Sequence, residues 1–328
     1  MIEQIAVEVA DLAVRFRQRE RTIHAVNGVS FRLARGEVLG ILGESGSGKS
    51  VTLRALMRLL PSNCEIDGRV TINGEDITAA PKARLEELRG DSVAMIFQEP
   101  ATALDPVFTI GEQIAETILR HEAVSHRQAR QRALELLERV QIPSARRRLA
   151  SYPHEMSGGM RQRAMIALAL SCNPSVLLAD EPTTALDVTV QIQILLLLRE
   201  LQRELGMAVI FVTHDVGAAV EISDRLAVMY AGRFVETGSA RNVLKRRAHP
   251  YTEGLLAANL HGAEPGTRLM TIPGSPPNLA ALTQGCRFAP RCAYALDVCG
   301  TADPPPVACG DGHSARCLRV EERLKVFA

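Results

Sequence analysis

Tryptophan is absent from these 328 residues, and phenylalanine and tyrosine together make up only 4% of them. So sparse an aromatic complement supplies neither a belt of rings for a membrane interface nor a platform on which bases would stack. No apolar run approaches the roughly 18 residues needed to cross a bilayer. The N-terminus, Met1-Ile2-Glu3-Gln4, lacks both the basic start and the apolar core of a secretory signal. The chain is therefore expected to be cytosolic, with any membrane association made through a partner. A surplus of either charge is missing too. With 38 basic against 37 acidic residues the net charge is +1, which argues against binding nucleic acid by bulk charge.

Closely paired cysteines are also missing. Cys64 and Cys172 are scattered and read as small core residues, while Cys286, Cys292, Cys299, Cys309 and Cys317 crowd the C-terminal end. Their spacing begins C-x5-C-x6-C, with Cys317 after 17 more residues, and contains no C-x2-C. In a cytosolic chain such clustering favours a metal over disulfides, and the spacing alone leaves the metal open.

What is present is decisive near the start. Gly43-Glu44-Ser45-Gly46-Ser47-Gly48-Lys49-Ser50 fits G-x-x-x-x-G-K-[ST], the phosphate-binding loop. It follows an apolar run, Val38 to Leu42, that reads as a buried strand. It precedes Val51 to Met57, which reads as a helix start. Glycines let the backbone wrap a phosphate with its N–H groups turned inward, and the helix N-terminus adds a positive dipole end. Lys49 is expected to reach the β- and γ-phosphates of a nucleotide and Ser50 to ligate Mg²⁺.

Around this loop, apolar strands alternate with amphipathic helices. Ile5 to Phe16 and Val26 to Leu33 read as N-terminal strands joined by a charged turn, Arg17 to Arg21. Further strands are expected at Val93–Phe97, Val176–Ala179, Ala208–Val212 and Leu226–Met229. Helical patterns run from Gly111 to about Arg148, with a break at Pro143 and Ser144, from Met165 to Leu170, and from Val188 to Leu205, stopped by Gly206. The alternation implies an α/β fold on a mostly parallel sheet. Beyond Gly238 the regularity fades, and residues 262–317, rich in Pro, Gly and Cys, read as a loop-dominated tail.

Asp180-Glu181 closes the strand Val176–Ala179. An apolar strand ending in an acid, downstream of a phosphate loop, is the Walker B arrangement. Asp180 is expected to hold Mg²⁺ and Glu181 to orient the attacking water as a general base. Ser157-Gly158-Gly159-Met160-Arg161-Gln162-Arg163 then resembles the signature motif of ABC-type ATPases. The resemblance extends to Gln98 as the Q-loop, Ala185-Leu186-Asp187 as the D-loop and His214 as the switch histidine. Six elements, from the phosphate loop to the switch histidine, thus stand in the family's order between Gly43 and His214.

The chain resembles more closely the D-type ATPase subunit of dipeptide/oligopeptide (and related nickel) importers. Met160 in the signature, His249-Pro250-Tyr251-Thr252-Glu253-Gly254-Leu255-Leu256 followed by Ile272 to Pro277, and Gly285 to Cys292 carry the likeness. Met156 stands where that family usually has Leu. The resemblance implies a P-loop ATPase with an N-terminal antiparallel β subdomain, spanning residues 1–245, with a helical signature subdomain at about 100–165. A Cys-rich extension would follow at 246–328. It implies ATP held by residues 43–51, Val51 included, with Ser157, Gly158, Gly159 and Asp187 serving nucleotide across a subunit pair. Mg²⁺ would be held by Ser50, Gln98 and Asp180, and Glu181, His214 and Gln98 would serve catalysis. Cys286, Cys292, Cys299 and Cys317 would carry a 4Fe-4S cluster, with Cys309 a bystander.

The implied partners are two membrane permeases, a second, F-type ATPase subunit and an external peptide-binding protein, at the cytoplasmic face of the plasma membrane. Nickel-chelate or glutathione-like cargo is the alternative to peptides. Soluble ABC ATPases require tandem cassettes or coiled-coil insertions that this chain lacks, and ABC exporters usually lack the cysteine tail.

Overall fold

The computed structural model describes residues 4–18, 21–258, 271–282 and 284–326. Arg19 and Glu20 of the expected charged turn, and residues 262–270 of the expected loop-rich tail, lie outside the described residues. The chain divides into two compact units, each assembled from separated stretches. One comprises Met1–Val7, Leu33–Glu37 and Asn73–Ile210; the other comprises Glu8–Arg32, Val38–Ile72 and Phe211–Ala328.

The first unit is built on a parallel strand pair, Val93–Ile96 with Val176–Asp180, in the register Val93 to Val176 through Ile96 to Ala179. Every residue of both strands is buried, which is why they read as continuous apolar runs rather than as alternation. Helices Ile110–His121 and His126–Arg139 each begin with a reciprocal capping box, Thr109 with Glu112 and Ser125 with Gln128. Ile110, Ile114 and Ile118 bury one face of the first, and Ala133, Leu134 and Leu137 bury one face of the second. The helical stretch expected from Gly111 to about Arg148, with one break at Pro143 and Ser144, is thus interrupted a second time, by the cap at Ser125. Ser144 takes a left-handed conformation and leads into the short helix Ala145–Arg148.

Helix Gly158–Ala169 is buried along most of its length. Arg163 within it donates from Nη1 to the Val140 carbonyl at 2.9 Å and from Nη2 to Gln193 at 3.2 Å. Helix Val188–Leu205 ends where expected, with Gly206 at φ 62°, a conformation that a Cβ would strain.

In the second unit, Val38–Leu42 pairs in parallel with Arg225–Tyr230. From there the pairing is antiparallel: Arg225–Tyr230 with Arg233–Ser239, that strand with His313–Ala315, and His313–Ala315 with Val307–Gly310. The expectation of a mostly parallel sheet is therefore corrected to a mixed one. The last two strands are only four and three residues long and turn through Gly310 and Gly312, both at positive φ. Elements so short carry no readable periodicity, and the tail accordingly looked irregular in sequence. Helices Ala240–Arg246, Pro250–Ala257 and Val320–Val326 were missed for the same reason. Strand Cys64–Ile72, beside Ile5–Arg17, was missed because its middle is exposed and polar.

The scarce aromatics concentrate here. Tyr230, Tyr251 and Phe288 meet with ring centroids 4.6–5.3 Å apart, over a core that includes Leu42, Val228 and Val243. Glu236, 1% exposed, accepts the N–H groups of Ala248 and His249 at 2.9 Å each and stands 2.8 Å from His313 Nε2. One carboxylate thereby fastens two parts of the C-terminal segment to strand Arg233–Ser239.

His249 caps helix Pro250–Ala257, its Nδ1 accepting the Tyr251 N–H at 3.0 Å. Burial pulls its imidazole down to about 4, only partly opposed by Glu236. A free histidine titrates near ~6.5, so between about pH 4 and 6.5 the unfolded chain binds the extra proton. The contribution of His249 to stability is therefore complete above that window and lost as the pH falls through it, by up to roughly 3 kcal/mol. Urea unfolding at pH 7.5 and pH 5 should show this loss, and His249→Asn, which keeps a cap acceptor but not the titration, should flatten it. Equal slopes in both proteins would remove His249 as the cause.

Candidate functional site

The phosphate loop lies in the second unit, between strand Val38–Leu42 and helix Lys49–Leu56. A Cβ on Gly43 would fall on the Met229 carbonyl oxygen, and one on Gly48, at φ 107°, would come 2.5 Å from the Ala25 oxygen. These two glycines are therefore demanded by the close approach of neighbouring backbone. Ser45 and Gly46 are exposed at the tip, and Val51 is half-buried in the first helical turn.

Lys49, 4% exposed, donates from Nζ to the carbonyls of Gly43 at 2.8 Å and Glu44 at 3.1 Å, which stands the ammonium within the loop. The Ser47 carbonyl accepts the Gly232 N–H at 2.7 Å, while the Ser47 hydroxyl is buried without a partner. No acid occupies the first turn of the helix, so its N–H groups and the lysine give this end of the unit a positive character. Ser50, half-buried, opens the same turn. His214, also in the second unit, is exposed just past strand Ala208–Thr213.

The first unit carries Gln98, the signature, the acidic pair and the D-loop. Asp180 ends its strand at 1% exposure. Glu181 follows at φ 47°, a left-handed conformation uncommon for a residue with a side chain and one that turns its carboxylate away from the strand direction. That carboxylate accepts the Thr184 hydroxyl at 3.0 Å and the Gln98 amide at 3.4 Å. Two residues 83 positions apart, both picked out in the sequence, thus meet.

Ser157 caps helix Gly158–Ala169 through the Met160 N–H at 3.3 Å, and Asp187 caps helix Val188–Leu205 through the Val190 N–H at 3.0 Å. A Cβ on Gly159 would come 2.9 Å from Val190 Cγ1, whereas one on Gly158 would make an ordinary contact with Leu186. The signature and the D-loop are therefore packed on one another.

Within the second unit, Cys286, Cys292, Cys299 and Cys317 line a single cavity together with Phe288 and His249. Burial pushes the thiols of Cys286, Cys292 and Cys317 up, and neighbouring cysteines of the four push them further. The N–H groups of Leu296 and Arg319 approach Sγ of Cys299 and Cys317 at 3.5 and 3.4 Å. Cys309 lies apart, in an apolar cluster with Ala248, Ala315 and Val320. Among the described residues no group of three or more His, Cys, Asp or Glu side chains is placed to hold a single metal ion.

Two further residues reach the loop, Arg291 and Tyr251; both lie in stretches that carry the family likeness, but the sequence assigned neither a role at the loop. Arg291 grips the Glu44 carboxylate at 2.7 and 3.0 Å, and the Tyr251 hydroxyl accepts the Glu44 N–H at 2.9 Å. The hints were an arginine lodged between two cysteines and a tyrosine in the His249–Leu256 stretch.

Comparison with known proteins places these features. Residues 26–184 match the ABC transporter family model, and residues 235–299 match that of the oligopeptide/dipeptide transporter C-terminal region. The chain is 48% identical over 320 residues to the oligopeptide transport ATP-binding protein OppD of Salmonella typhimurium, covering 98% of this chain and 95% of that one. It is also 48% identical to a putative peptide import ATP-binding protein of Brucella abortus, over 98% of this chain and 99% of the relative. Among solved structures it is similar to the ATP-binding cassette MJ0796, captured as a dimer in a post-hydrolysis state with ADP and Pi. The TM-score is 0.65 at 31% identity, over 72% of this chain and 99% of that one.

Proposed function

The chain belongs to the ABC transporter family, in its oligopeptide/dipeptide import branch, as an ATP-hydrolysing subunit that energises peptide import, and from that premise we propose how its residues divide the work. The observation that carries the reading is similarity to peptide-import ATPases along 98% of the chain, with the motif residues in family order. Residues 1–245 act as the ATPase, with about 100–165 as its helical part, and residues 246–328 as the importer-type extension.

In the second unit, the loop of residues 43–51 and the Lys49 ammonium hold the phosphates of ATP, through loop N–H groups other than that of Glu44, which the Tyr251 hydroxyl takes, and Ser50 offers its hydroxyl to Mg²⁺. Lys49 is already buried within the loop and loop carbonyls orient it, so little reorganisation is needed on binding. His214, exposed at its strand end, serves the γ-phosphate.

In the first unit, Asp180 and Gln98 are directed to Mg²⁺. An acceptor-only carboxylate at a buried strand end has the chemistry a hard cation takes. When bound, Mg²⁺ neutralises phosphate charge. Glu181 holds and deprotonates the attacking water; Thr184 and Gln98 fix its carboxylate for this task. Ser157, Gly158, Gly159 and Asp187 serve the nucleotide of a facing subunit. The signature offers a capped helix start, with N–H groups suited to a γ-phosphate.

The facing subunit is a related F-type ATPase. Two permeases and an external peptide-binding protein complete the importer. Among the described residues no helix is long and apolar enough to cross a membrane. Similarity to peptide-import ATP-binding proteins supports a peripheral subunit, held by the permeases at the cytoplasmic face, where ATP is available.

For Cys286, Cys292, Cys299 and Cys317 we propose a 4Fe-4S cluster. Four half-buried cysteines around one cavity support it. A lone zinc ion would draw its sulfurs to about 2.3 Å from one point, whereas a cluster distributes four thiolates around its own body. The bound cluster would supply cross-links to a segment with little apolar core of its own, and no step of hydrolysis passes through it.

Gentle detergent purification from the native membrane should recover two permeases and a second ABC ATPase; soluble ribosomal or nucleic-acid proteins alone would overturn the transport assignment. Glu181→Gln should bind ATP normally while turnover falls about 10²–10³-fold, and wild-type turnover would strip Glu181 of its role. Iron and acid-labile sulfide in anaerobically purified protein should approach four of each per chain. Clean protein lacking both would eliminate the cluster.

A further inference from the structure

Glu44 is the second residue of the phosphate loop, and side chains from the C-terminal segment hold it at two points. Its carboxylate lies against Arg291 in a two-pronged pair, with Nη1 at 2.7 Å from Oε2 and Nη2 at 3.0 Å from Oε1. Its backbone N–H donates to the Tyr251 hydroxyl at 2.9 Å. Its own carbonyl accepts the Lys49 ammonium at 3.1 Å. A displacement of Glu44 therefore moves an anchor of the lysine that faces the phosphates.

The residues holding Glu44 are themselves tightly fixed. The Arg291 side chain is 5% exposed. Beyond Glu44, its guanidinium donates to the Pro273 carbonyl at 2.8 Å, the Tyr230 hydroxyl at 3.4 Å and the Ile272 carbonyl at 3.5 Å. A planar fork satisfied on every side has one orientation, and a lysine could not reproduce it. Arg291 ends the turn Ala289–Arg291, directly before Cys292. Tyr251 is fully buried between Tyr230 and Phe288, in the first turn of helix Pro250–Ala257.

We propose that Arg291 and Tyr251 are positioning residues for the phosphate loop: the cysteine-bearing segment clamps Glu44, and nucleotide affinity depends on that clamp. The clamp makes no contact with phosphate and acts by holding the loop in its binding shape before nucleotide arrives. Affinity is then sensitive to whatever orders the stretch between Cys286 and Cys292. The proposal rests on the loop's role as the ATP site given above.

The test is nucleotide affinity of the full-length chain, measured with a fluorescent ATP analogue, for wild type, Arg291→Met, Glu44→Ala, the double variant, Arg291→Lys and Tyr251→Phe. Circular dichroism and thermal melting without nucleotide identify any variant that has not folded. Loss of a charge-assisted hydrogen-bond pair should weaken binding about tenfold in each of Arg291→Met and Glu44→Ala. The double variant should be no weaker than the worse single one. In Arg291→Met, KM should rise while kcat changes less than about twofold, since uniform binding is what is lost. Arg291→Lys should recover only part of the affinity, and Tyr251→Phe should lose less than Arg291→Met.

Wild-type affinity in folded Arg291→Met or Glu44→Ala, or additive losses in the double variant, would overturn the clamp. Should Arg291→Met fail to fold, a Glu44→Ala chain that melts as a folded protein decides, because it removes no side chain of the segment itself. Failure of the wild-type chain itself to bind the analogue would instead overturn the ATP-site reading.

Discussion

The passage of strand Arg225–Tyr230 across the phosphate loop is the constraint around which the second unit is arranged. The Met229 carbonyl oxygen occupies the space where any side chain on Gly43 would go, and just beyond the strand the Gly232 N–H bonds the Ser47 carbonyl. The loop is thus shaped from outside as much as by its own glycines. The same strand ends in Tyr230, whose ring packs on Tyr251 and Phe288 and whose hydroxyl approaches Arg291. Its other edge continues through three antiparallel strands into the C-terminal segment. A single backbone approach therefore couples the loop's geometry to residues some two hundred positions later in the chain.

In the first unit the motif residues share a different physical device. Ser157 and Asp187 each use a side-chain oxygen to cap a helix, and each leaves the helix's first N–H groups at the surface. A cap residue is short, polar and locally fixed, which suits it to present backbone donors without moving itself. The close approach of Gly159 to Val190 then makes the two helix starts one packed feature. Substitutions at Val190, which the motif pattern does not mark, bear on the signature for this reason.

The features legible in sequence were those whose residue types have few substitutes. Gly43 and Gly48 admit no side chain, Gly206 stops a helix, and the strands Val38–Leu42 and Val176–Asp180 are buried throughout and apolar up to the closing Asp180. Crowding marked five cysteines without separating them; the family resemblance picked out four, which line one cavity, and left aside Cys309, which lies apart. What escaped was local structure created by distant partners. His313–Ala315 is a strand because Arg233–Ser239 lies beside it and Glu236 meets His313, not because its three residues favour one. The mixed sheet followed from these unseen pairings. Arg291 and Tyr251 escaped for the same reason, since 247 and 207 positions separate them from Glu44 and no periodicity spans such a gap.

The aromatic scarcity noted at the outset has an optical consequence. Without tryptophan, the intrinsic emission of the chain falls chiefly to four tyrosines, and two of them, Tyr230 and Tyr251, are packed against one another beneath the phosphate loop. Only Tyr152 belongs to the first unit, and it is 38% exposed. The protein's own ultraviolet spectrum is therefore weighted toward the ground on which Glu44 stands. A buried pair with hydroxyls directed at Arg291 and at the Glu44 N–H will differ in band position and anisotropy from tyrosine in water. The molecule carries a built-in chromophore where its loop and its C-terminal segment join, and it can be read without any label.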